Sequence, residues 1–386
     1  MNIKLSEIVF FFTLFGVLYS YFIYPSILFV LPRKKRLHNK VSKQPEGIEL
    51  PFISLIITAY NEQDSIKEKI TNTLDTDYPY HLREILVASD GSTDNTNDYV
   101  SEFSDQGVRL IKVPDRKGKE NAQLAAIQEA KGEILIFSDV ATKIPKEAIR
   151  IIASTFSDPE IGAISSEDRF ITEDGSIAGE GAYVKYEMWL RRLEAEVKSL
   201  VGLSGSFFAV RKVICKDWDI SVPSDFNTAL NCIRNGYVAV SHPDVLGYYP
   251  NLKDESKEYS RKLRTVIRGM AAIANKPSVL NPFKFGIFSL QVFSHKIMRW
   301  LVPWFMLILL ITNVWLYETH VFYCALLAAQ FIFYGLAVLG WLSIAARSKA
   351  MIKIPYFFMQ VNFAIAHAGV QFIKGHRITM WEPSQR

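Results

Sequence analysis

Apolar and polar positions alternate in a regular order along the middle of the chain, with short apolar runs followed by longer amphipathic stretches. The short runs have the length of buried strands, and the amphipathic stretches carry apolar residues at helical spacing. This order predicts strands at 53–58, 84–88, 108–113 and 134–138, separated by helices at 64–74, 95–103 and 119–130. Strands that alternate with helices form a mainly parallel, Rossmann-like sheet, so the pattern predicts an α/β fold.

A long apolar segment precedes this region. Residues 8–31 contain no charged side chain, and they exceed the ~20 residues that a helix needs to cross a bilayer. A cleaved signal peptide is the alternative, but no small-residue cleavage site is present and a basic flank follows, which favours a retained transmembrane anchor. The basic residues at 33–36 then place the next domain on the cytoplasmic side of the inner membrane.

Further apolar segments follow the α/β region. Residues 300–316 and 321–346 predict a transmembrane hairpin, preceded by a helix at 282–293 that lies in the membrane interface. The last segment, 354–373, contains Gln360 and other polar residues that are costly in lipid. Because a basic tail follows it, we expect this segment to be re-entrant or interfacial, with a full span as the alternative.

The predicted organisation and the composition agree. The parts are an anchor at 1–32, a basic linker at 33–50, a cytoplasmic domain at 51–276, an interfacial helix at 277–297, and the hairpin with the last segment and tail at 298–386. The net charge is +5, and the basic clusters lie beside apolar segments, which suits membrane lipids and excludes nucleic acid as the expected partner. The 3 cysteines have no metal-type spacing, so we expect packing residues in a reducing compartment.

Polar loops follow the first strands. The residues from Asp90 to Asp94, at the end of the second predicted strand, are acidic or small. In open α/β sheets, ligands bind outside the carboxyl ends of the strands, so this loop predicts a nucleotide site. Lys117 and Lys119 precede a helix and could hold a phosphate there, although a solvated basic loop is equally compatible with the sequence.

Two further carboxylates stand out. Ser138 and Asp139 end the strand at 134–138, where a carboxylate could hold a divalent cation between diphosphate oxygens. Asp225 follows Pro223 at a probable helix start and could act as a general base. Both aspartates could instead be helix caps.

A basic helix is predicted after residue 257. Arg261, Arg264 and Arg268 are spaced so that they share one helix face. That face could bind a diphosphate or an anionic lipid head group, or it could be an ordinary basic surface at the membrane.

Taken in order, these blocks resemble the membrane-bound family 2 glycosyltransferases, which have a glycosyltransferase A-type fold. The resemblance covers nearly all the chain and rests on AYNE (59–62), SDGSTDNT (89–96), RKGKENA (116–122), FSDVAT (137–142), GSFFAVRK (205–212) and PSDFNTAL (223–230). It implies that Ala59, Tyr60 and Glu62 line the nucleotide pocket. Asp90 would hold the edge of the base, with Ser92 nearby.

The resemblance also implies roles around the donor phosphates. Lys119, Ser138 and Asp139 would contact the nucleotide sugar, with Asp139 as the first carboxylate of the Asp-x-Asp motif that holds Mg²⁺ or Mn²⁺. Ala141 stands where the second acid of that motif belongs. We therefore expect a weakly bound divalent cation.

On the acceptor side, the resemblance implies that Asp225 is the catalytic base and that Gly205 and Ser206 bind the acceptor. The Gln-x-x-Arg-Trp motif of processive synthases is absent, and Arg261 and Arg264 occupy roughly that region, where they would bind the diphosphate. Long-chain synthesis with secretion is therefore not expected.

The resulting hypothesis is an inverting hexosyltransferase. It would transfer a sugar from a nucleotide diphosphate sugar, expected to be a UDP-sugar, to a lipid-linked or surface-polysaccharide acceptor. One alternative is transfer to a polyprenyl phosphate, an acceptor that is already anionic and needs no strong base. Another is a catalytically silent nucleotide-binding scaffold for a polysaccharide synthase, which the substitution at Ala141 leaves open.

Overall fold

The structure is a computed structural model, and it describes residues 3–34, 49–171, 182–250 and 255–378. The chain divides into two compact units. One unit is formed mainly by residues 31–253 together with 271–289, and the other by the N-terminal segment, 254–270 and 290–377. The first is called the α/β unit below, and the second the apolar-helix unit.

The α/β unit is built on one seven-stranded sheet. Its strands are β1 (Ile53–Ala59), β2 (Arg83–Asp90), β3 (Val108–Val113), β4 (Ile134–Asp139), β5 (Ile161–Ile171), β6 (Phe207–Arg211) and β7 (Val238–Pro250). The spatial order is β3-β2-β1-β4-β6-β5-β7, in which β6 runs antiparallel to both of its neighbours and the other pairs are parallel. The predicted mainly parallel α/β fold is thus confirmed.

Helices cover this sheet. They are Ile66–Leu74, Thr96–Ser101, Lys119–Glu129, Ala148–Thr155, Ala182–Val197 and Ser224–Arg234, with short turns at Tyr80–Leu82, Ser104–Gln106, Lys212–Asp217 and Pro277–Leu280 and a one-turn helix at Pro282–Phe285. Every residue of β1 is buried, as a central strand covered on both faces requires. Ile56 of β1 lies opposite Leu86 and Phe137, and these three belong to one hydrophobic core with Cys215 and Cys232. Two of the three cysteines are therefore packing residues, as expected.

The apolar-helix unit contains long and short helices. They are Ile3–Leu18, Tyr24–Val30, Ile287–Val292, Met298–Leu316, Val321–Leu342, Ile344–Arg347 and Ala350–Ile373, with π turns at Tyr19–Ile23 and Phe293–Ile297, and the helix Glu255–Asn275 begins in this unit. Three helical stretches in the described residues are long and apolar enough to cross a membrane: Ile3–Val30, Ile287–Leu316 and Val321–Leu342. The chain is therefore a membrane-associated protein.

The middle stretch differs from the sequence prediction. We expected a separate interfacial helix at 277–297, but the helical stretch Ile287–Leu316 runs across residue 297. The preceding one-turn helix ends at Gly286, which adopts a positive φ of 57°. The interfacial position is predicted from Lys284 and Gln291. Lys284 lies in the one-turn helix before this stretch, and Gln291 is fully buried, so neither side chain interrupts the apolar surface of Ile287–Leu316.

Candidate active site

The candidate site lies at the carboxyl ends of β1, β2 and β4. In the sheet register, Ala59 pairs with Ser89, and Thr58 pairs with Asp139. The loops that follow these strands therefore leave the sheet side by side. The structure thus brings together the predicted nucleotide-binding residues of the first strands and the predicted carboxylate of β4.

Asp90 anchors a neighbouring loop. Its two carboxylate oxygens accept hydrogen bonds from the backbone N–H groups of Lys117 (3.0 Å) and Gly118 (2.8 Å). The side chain is buried, with 1% of the residue surface exposed. Gly91, at a φ of +67°, lies so close to the same loop that a Cβ atom would stand 2.8 Å from the Arg116 nitrogen. Contact of Asp90 with a nucleotide base stays a prediction.

The loop after β1 is hydrogen-bonded to the loop after β2. Ser92 Oγ accepts from the Asn61 backbone N–H at 3.1 Å, and Thr96 Oγ1 accepts from the Glu62 N–H at 2.8 Å. Asn61 has a φ of +51°, a conformation that asparagine adopts more readily than most residues. Partial burial raises the pKa of Asp94, but hydrogen bonds from Thr96 and from the Gln63 backbone outweigh it and leave that pKa below its ordinary value.

Tyr60 contributes a stacking surface to this edge. The Arg116 guanidinium lies 3.9 Å from the centre of the Tyr60 ring. The loops after β1 and β2 and the loop at 116–118 therefore form one connected wall. Ala59, Tyr60, Glu62, Asp90 and Ser92, all predicted to bind the nucleotide, lie on or next to it.

Asp139 is paired with a lysine. The Lys119 ammonium donates hydrogen bonds to Asp139 Oδ1 and to the Gly205 carbonyl oxygen, the latter at 2.8 Å. The side chain of Lys119 is 8% exposed and that of Asp139 is 24% exposed. Lys119 therefore joins the end of β4 to the loop at 204–206.

A second lysine near Asp139 was not found from the sequence. Lys69 is 3% exposed, and its ammonium donates to Ser138 Oγ (2.7 Å) and to the Thr142 carbonyl oxygen (2.5 Å). Burial lowers the pKa of Lys69 to about 7, an effect that the nearby Asp139 carboxylate partly opposes. The available signal was a lysine on the inward stripe of Ile66–Leu74, which it shares with Ile66, Ile70 and Thr73.

Asp225 lies on the other side of Gly205. It belongs to the first turn of the helix Ser224–Arg234, and its Oδ1 accepts from the Phe226 N–H at 2.8 Å. A Cβ atom on Gly205 would stand 3.1 Å from Asp225 Oδ2. Gly205 therefore lies between Asp225 and the Lys119–Asp139 pair. Its carbonyl oxygen accepts from Lys119, and its Cα faces Asp225.

Asp168, at the end of β5, is another residue that sequence analysis missed. Its Oδ1 accepts from Ser204 Oγ (2.6 Å) and from Ser206 Oγ (3.5 Å). The Ser206 carbonyl in turn accepts from the Asp139 N–H at 2.9 Å. Asp168 thus fixes the loop that carries Gly205 and Ser206, the predicted acceptor residues.

Arg261 and Arg264 lie on the helix Glu255–Asn275, in the part that belongs to the apolar-helix unit. Their predicted contact with a diphosphate stays a prediction.

The residues of this edge fit a divalent cation poorly. Position 141 is alanine, and Oδ1 of Asp139 already accepts from an ammonium group. In the described ranges, no group of three or more His, Cys, Asp and Glu side chains is placed to hold a metal ion. A cation at Asp139 would therefore share its carboxylate ligand with the Lys119 ammonium.

The geometry can be compared with known proteins. Residues 54–218 match the family model described as Glycosyl transferase family 2. This segment is a family 2 glycosyltransferase domain. The matched residues include β1, β2, β4 and Gly205, while Asp225 lies just beyond them.

The glycosyltransferase domain has relatives among polysaccharide synthases. The poly-beta-1,6-N-acetyl-D-glucosamine synthase of Staphylococcus epidermidis is 26% identical over 207 residues, which cover 52% of this chain and 50% of the relative. The synthase of the same name from Staphylococcus aureus (strain MSSA476) is 27% identical over 209 residues, with the same coverage. The chain therefore spans about half the length of the curated relatives it matches.

A solved structure shares the fold. The mannosyltransferase PcManGT from Pyrobaculum calidifontis, solved in complex with GDP-Man and Mn²⁺, aligns with a TM-score of 0.72 at 19% identity. The alignment covers 96% of this chain and 100% of the mannosyltransferase chain. This likeness confirms the predicted glycosyltransferase A-type fold.

Proposed function

We propose that this protein transfers a sugar from a nucleotide diphosphate sugar to a hydroxyl group of a lipid-linked or polysaccharide acceptor. The observation that supports the proposal is the position of Asp225 beside Gly205, whose carbonyl oxygen accepts from Lys119. Gly205 belongs to the segment that matches family 2 glycosyltransferases, and Asp225 follows that segment. Asp225 is thus a partly exposed carboxylate beside the loop that contacts Lys119 at the end of β4, where the nucleotide sugar is proposed to bind. The donor is a UDP-sugar in this proposal.

The chemistry follows from the proposed roles. The acceptor oxygen forms a bond to the anomeric carbon while the bond from that carbon to the diphosphate oxygen breaks. The acceptor proton moves to Asp225, whose Oδ2 faces Gly205 while Oδ1 is held by the Phe226 N–H. The nucleoside diphosphate leaves with the electron pair, and attack opposite to it inverts the anomeric carbon.

The donor side supplies positive charge for the leaving diphosphate. Lys119 lies at the end of β4 and is held by Asp139 and the Gly205 carbonyl. Fixed positive groups at the point where negative charge develops stabilise the transition state.

The acceptor class rests on two observations. The relatives named above are polysaccharide synthases, and the chain carries apolar helices that are long enough to span a membrane. We place the glycosyltransferase domain on the cytoplasmic face of the inner membrane, where nucleotide sugars are available and lipid-linked acceptors are within reach. The basic residues beside the apolar helices support this orientation.

The test is a donor screen with the full chain in membrane vesicles. Release of nucleoside diphosphate is measured with UDP-, GDP- and other nucleotide sugars, using lipid extract or oligosaccharide as the acceptor. We expect release with one donor class and its loss in Asp225→Asn, but not in the control Asp105→Asn, whose carboxylate is exposed at the opposite edge of the sheet. Release from no donor would contradict the proposal and favour the silent scaffold.

Full activity of Asp225→Asn toward a polyprenyl phosphate would instead indicate an acceptor that is already anionic. Such an acceptor has no hydroxyl proton to lose, so it makes no use of a general base. The Asp225 variant therefore distinguishes the two acceptor classes in the same assay.

A further inference from the structure

The chemistry around Asp139 differs from that of a metal site. We propose that the Lys119 ammonium replaces the divalent cation, so that this domain binds the diphosphate of its donor without a metal ion. The inference rests on the proposed function and concerns how the donor is held.

The oxygen atoms around the end of β4 already accept hydrogen bonds from nitrogen donors. Lys119 donates to Asp139 Oδ1 and to the Gly205 carbonyl, and Lys69 donates to Ser138 Oγ and to the Thr142 carbonyl. Divalent Mg²⁺ and Mn²⁺ bind through oxygen ligands. In this domain, those ligands already accept from lysine amino groups, and the Lys119 ammonium beside Asp139 repels a cation.

The substitution at Ala141 removes the other carboxylate that could offset this repulsion. A methyl group cannot coordinate a cation, so Asp139 is left as the carboxylate of the 139–141 segment. With Lys119 bonded to it, the pair has no net charge. A divalent cation gains little attraction from a neutral pair, since Coulomb attraction scales with the charge of the partner.

A diphosphate is negatively charged, so the Lys119 ammonium attracts it rather than repelling it. Lys119 is largely buried, with an exposed side-chain fraction of 8%, and it stands at the start of the helix Lys119–Glu129. Its N-cap residue, Gly118, has a φ of +101°, a conformation that favours glycine. Backbone N–H groups at a helix start and a fixed ammonium group together favour an anion.

Asp139 positions this lysine. Its carboxylate and the Gly205 carbonyl orient the ammonium group from two sides. When a diphosphate binds, its oxygens share or take over the ammonium hydrogen bonds that Asp139 accepts in the free domain. Asp139 is therefore a positioning residue for Lys119 in this proposal, rather than a metal ligand.

The test measures nucleotide binding, separately from transfer. Full-length protein in detergent is titrated with UDP and GDP by calorimetry, once in EDTA and once in Mn²⁺. We expect one nucleotide to bind with dissociation constants that agree within about twofold in the two buffers, because a fixed ammonium group needs no metal. A loss of tenfold or more in EDTA, on the order of 1.4 kcal/mol, would overturn the inference.

Variants of the lysine sharpen this test. Lys119→Met should weaken nucleotide binding in EDTA by about tenfold to a hundredfold, as expected for the loss of a charge-assisted contact. The matched control is Lys131→Met, which removes an exposed lysine at the amino end of β4. Unchanged binding in Lys119→Met would contradict the inference.

A gain-of-function variant covers the case in which Lys119→Met does not fold. Ala141→Asp restores the second acid at a partly exposed position. In this variant, Mn²⁺ should strengthen nucleotide binding. Addition of the variant should also reduce the electron paramagnetic resonance signal of free Mn²⁺, because the ion becomes bound, whereas addition of the wild type should leave that signal unchanged. Mn²⁺ binding by the wild type at the same concentrations would contradict the inference.

The outcomes also separate this inference from the proposed function. Nucleotide binding that requires Mn²⁺ would contradict the proposed role of Lys119 but not the proposed transferase function. Failure of both UDP and GDP to bind in either buffer would contradict the proposed transferase function.

Discussion

The donor side and the acceptor side of the candidate site are built differently. On the donor side, Asp90 is buried and both of its carboxylate oxygens accept backbone N–H groups of a neighbouring loop. On the acceptor side, Asp225 is partly exposed, and among the described residues its carboxylate accepts one hydrogen bond, from Phe226. Two aspartates that look alike in the sequence thus differ in their contacts: Asp90 holds a loop with both oxygens, whereas Asp225 is held through one oxygen.

The largest expected effect comes from the acceptor side. In Asp225→Asn, the proposed general base is lost while the shape of the side chain is kept. We expect the transfer rate to fall about 10²–10⁴-fold, the usual contribution of a positioned base. Donor binding should stay within about twofold, since Asp225 lies beyond Gly205 from Lys119.

The measurement is the rate of nucleoside diphosphate release beside the dissociation constant for the nucleotide. Asp105→Asn, an exposed carboxylate in the turn Ser104–Gln106, should leave both values unchanged. A weaker donor affinity in Asp225→Asn with an unchanged rate would place this residue on the donor side instead.

On the donor side, we expect a substitution to change stability and affinity more than rate. In Asp90→Asn, one of the two oxygens that hold the 116–118 loop becomes an NH₂ group that faces a backbone N–H. We expect the protein to lose about 1–3 kcal/mol of unfolding free energy, the cost of an unsatisfied buried group. Donor affinity should fall about tenfold as the loop loosens, and the rate at saturating donor should change much less.

Urea unfolding of the full chain, followed by near-UV circular dichroism, checks the loss of stability, and calorimetry checks the affinity. If Asp90→Asn were as stable as the wild type and only slowed transfer, Asp90 would be a chemical group and the contrast with Asp225 would be wrong.

A smaller effect is expected at the residue between the two sides. Gly205→Ala would place a methyl group 3.1 Å from Asp225 Oδ2, which is tighter than ordinary contact, so the carboxylate must shift by a few tenths of an ångström. Misplacing a reacting group costs rate more than affinity. We expect the rate to fall on the order of tenfold, with nucleotide affinity unchanged, in the release assay described above.

A change at the opposite edge of the sheet should affect stability alone. In Gly132→Ala, the new Cβ would stand 2.5 Å from the Ser54 nitrogen, and overpacking of this kind costs about 1–3 kcal/mol. The melting temperature should fall while transfer at a permissive temperature stays near that of the wild type. A selective loss of transfer would show that stability and chemistry are coupled across the sheet.

The first half of the fold could be predicted from the sequence. The predicted strand at 108–113 coincides with β3, and the other three predicted strands lie within β1, β2 and β4. The apolar runs of β1, β2 and β4 are buried, as strands covered on both faces require. Local sequence is enough where burial and strand length agree.

The second half could not be predicted in the same way. β5 contains Ser165, Ser166 and Glu167, which look like a loop in the sequence but are fully buried. Glu167 is buried because Arg192 donates to both of its carboxylate oxygens at 2.9 Å. Such a strand depends on a partner from a distant helix, which no local pattern reveals.

The same reason explains which residues of the candidate site could be predicted and which could not. Asp139 and Asp225 were found because each follows a recognisable strand end or helix start. Lys69 and Asp168 were missed, because their partners are far apart in the chain: Ser138 for Lys69 and Ser204 for Asp168. The positions of Asp139 and Asp225 were predictable, but the contacts that Lys69 makes with Ser138 and that Asp168 makes with Ser204 were not.

The most direct test of the different roles proposed for Asp225 and Asp90 is a side-by-side measurement of Asp225→Asn and Asp90→Asn. For each variant, nucleotide affinity and the rate of nucleoside diphosphate release at saturating donor are measured on the same preparation of full-length protein. We predict that Asp225→Asn keeps the affinity and loses the rate, while Asp90→Asn loses affinity and stability and keeps most of the rate. The same pattern of loss in both variants, or the reverse assignment, would contradict this account.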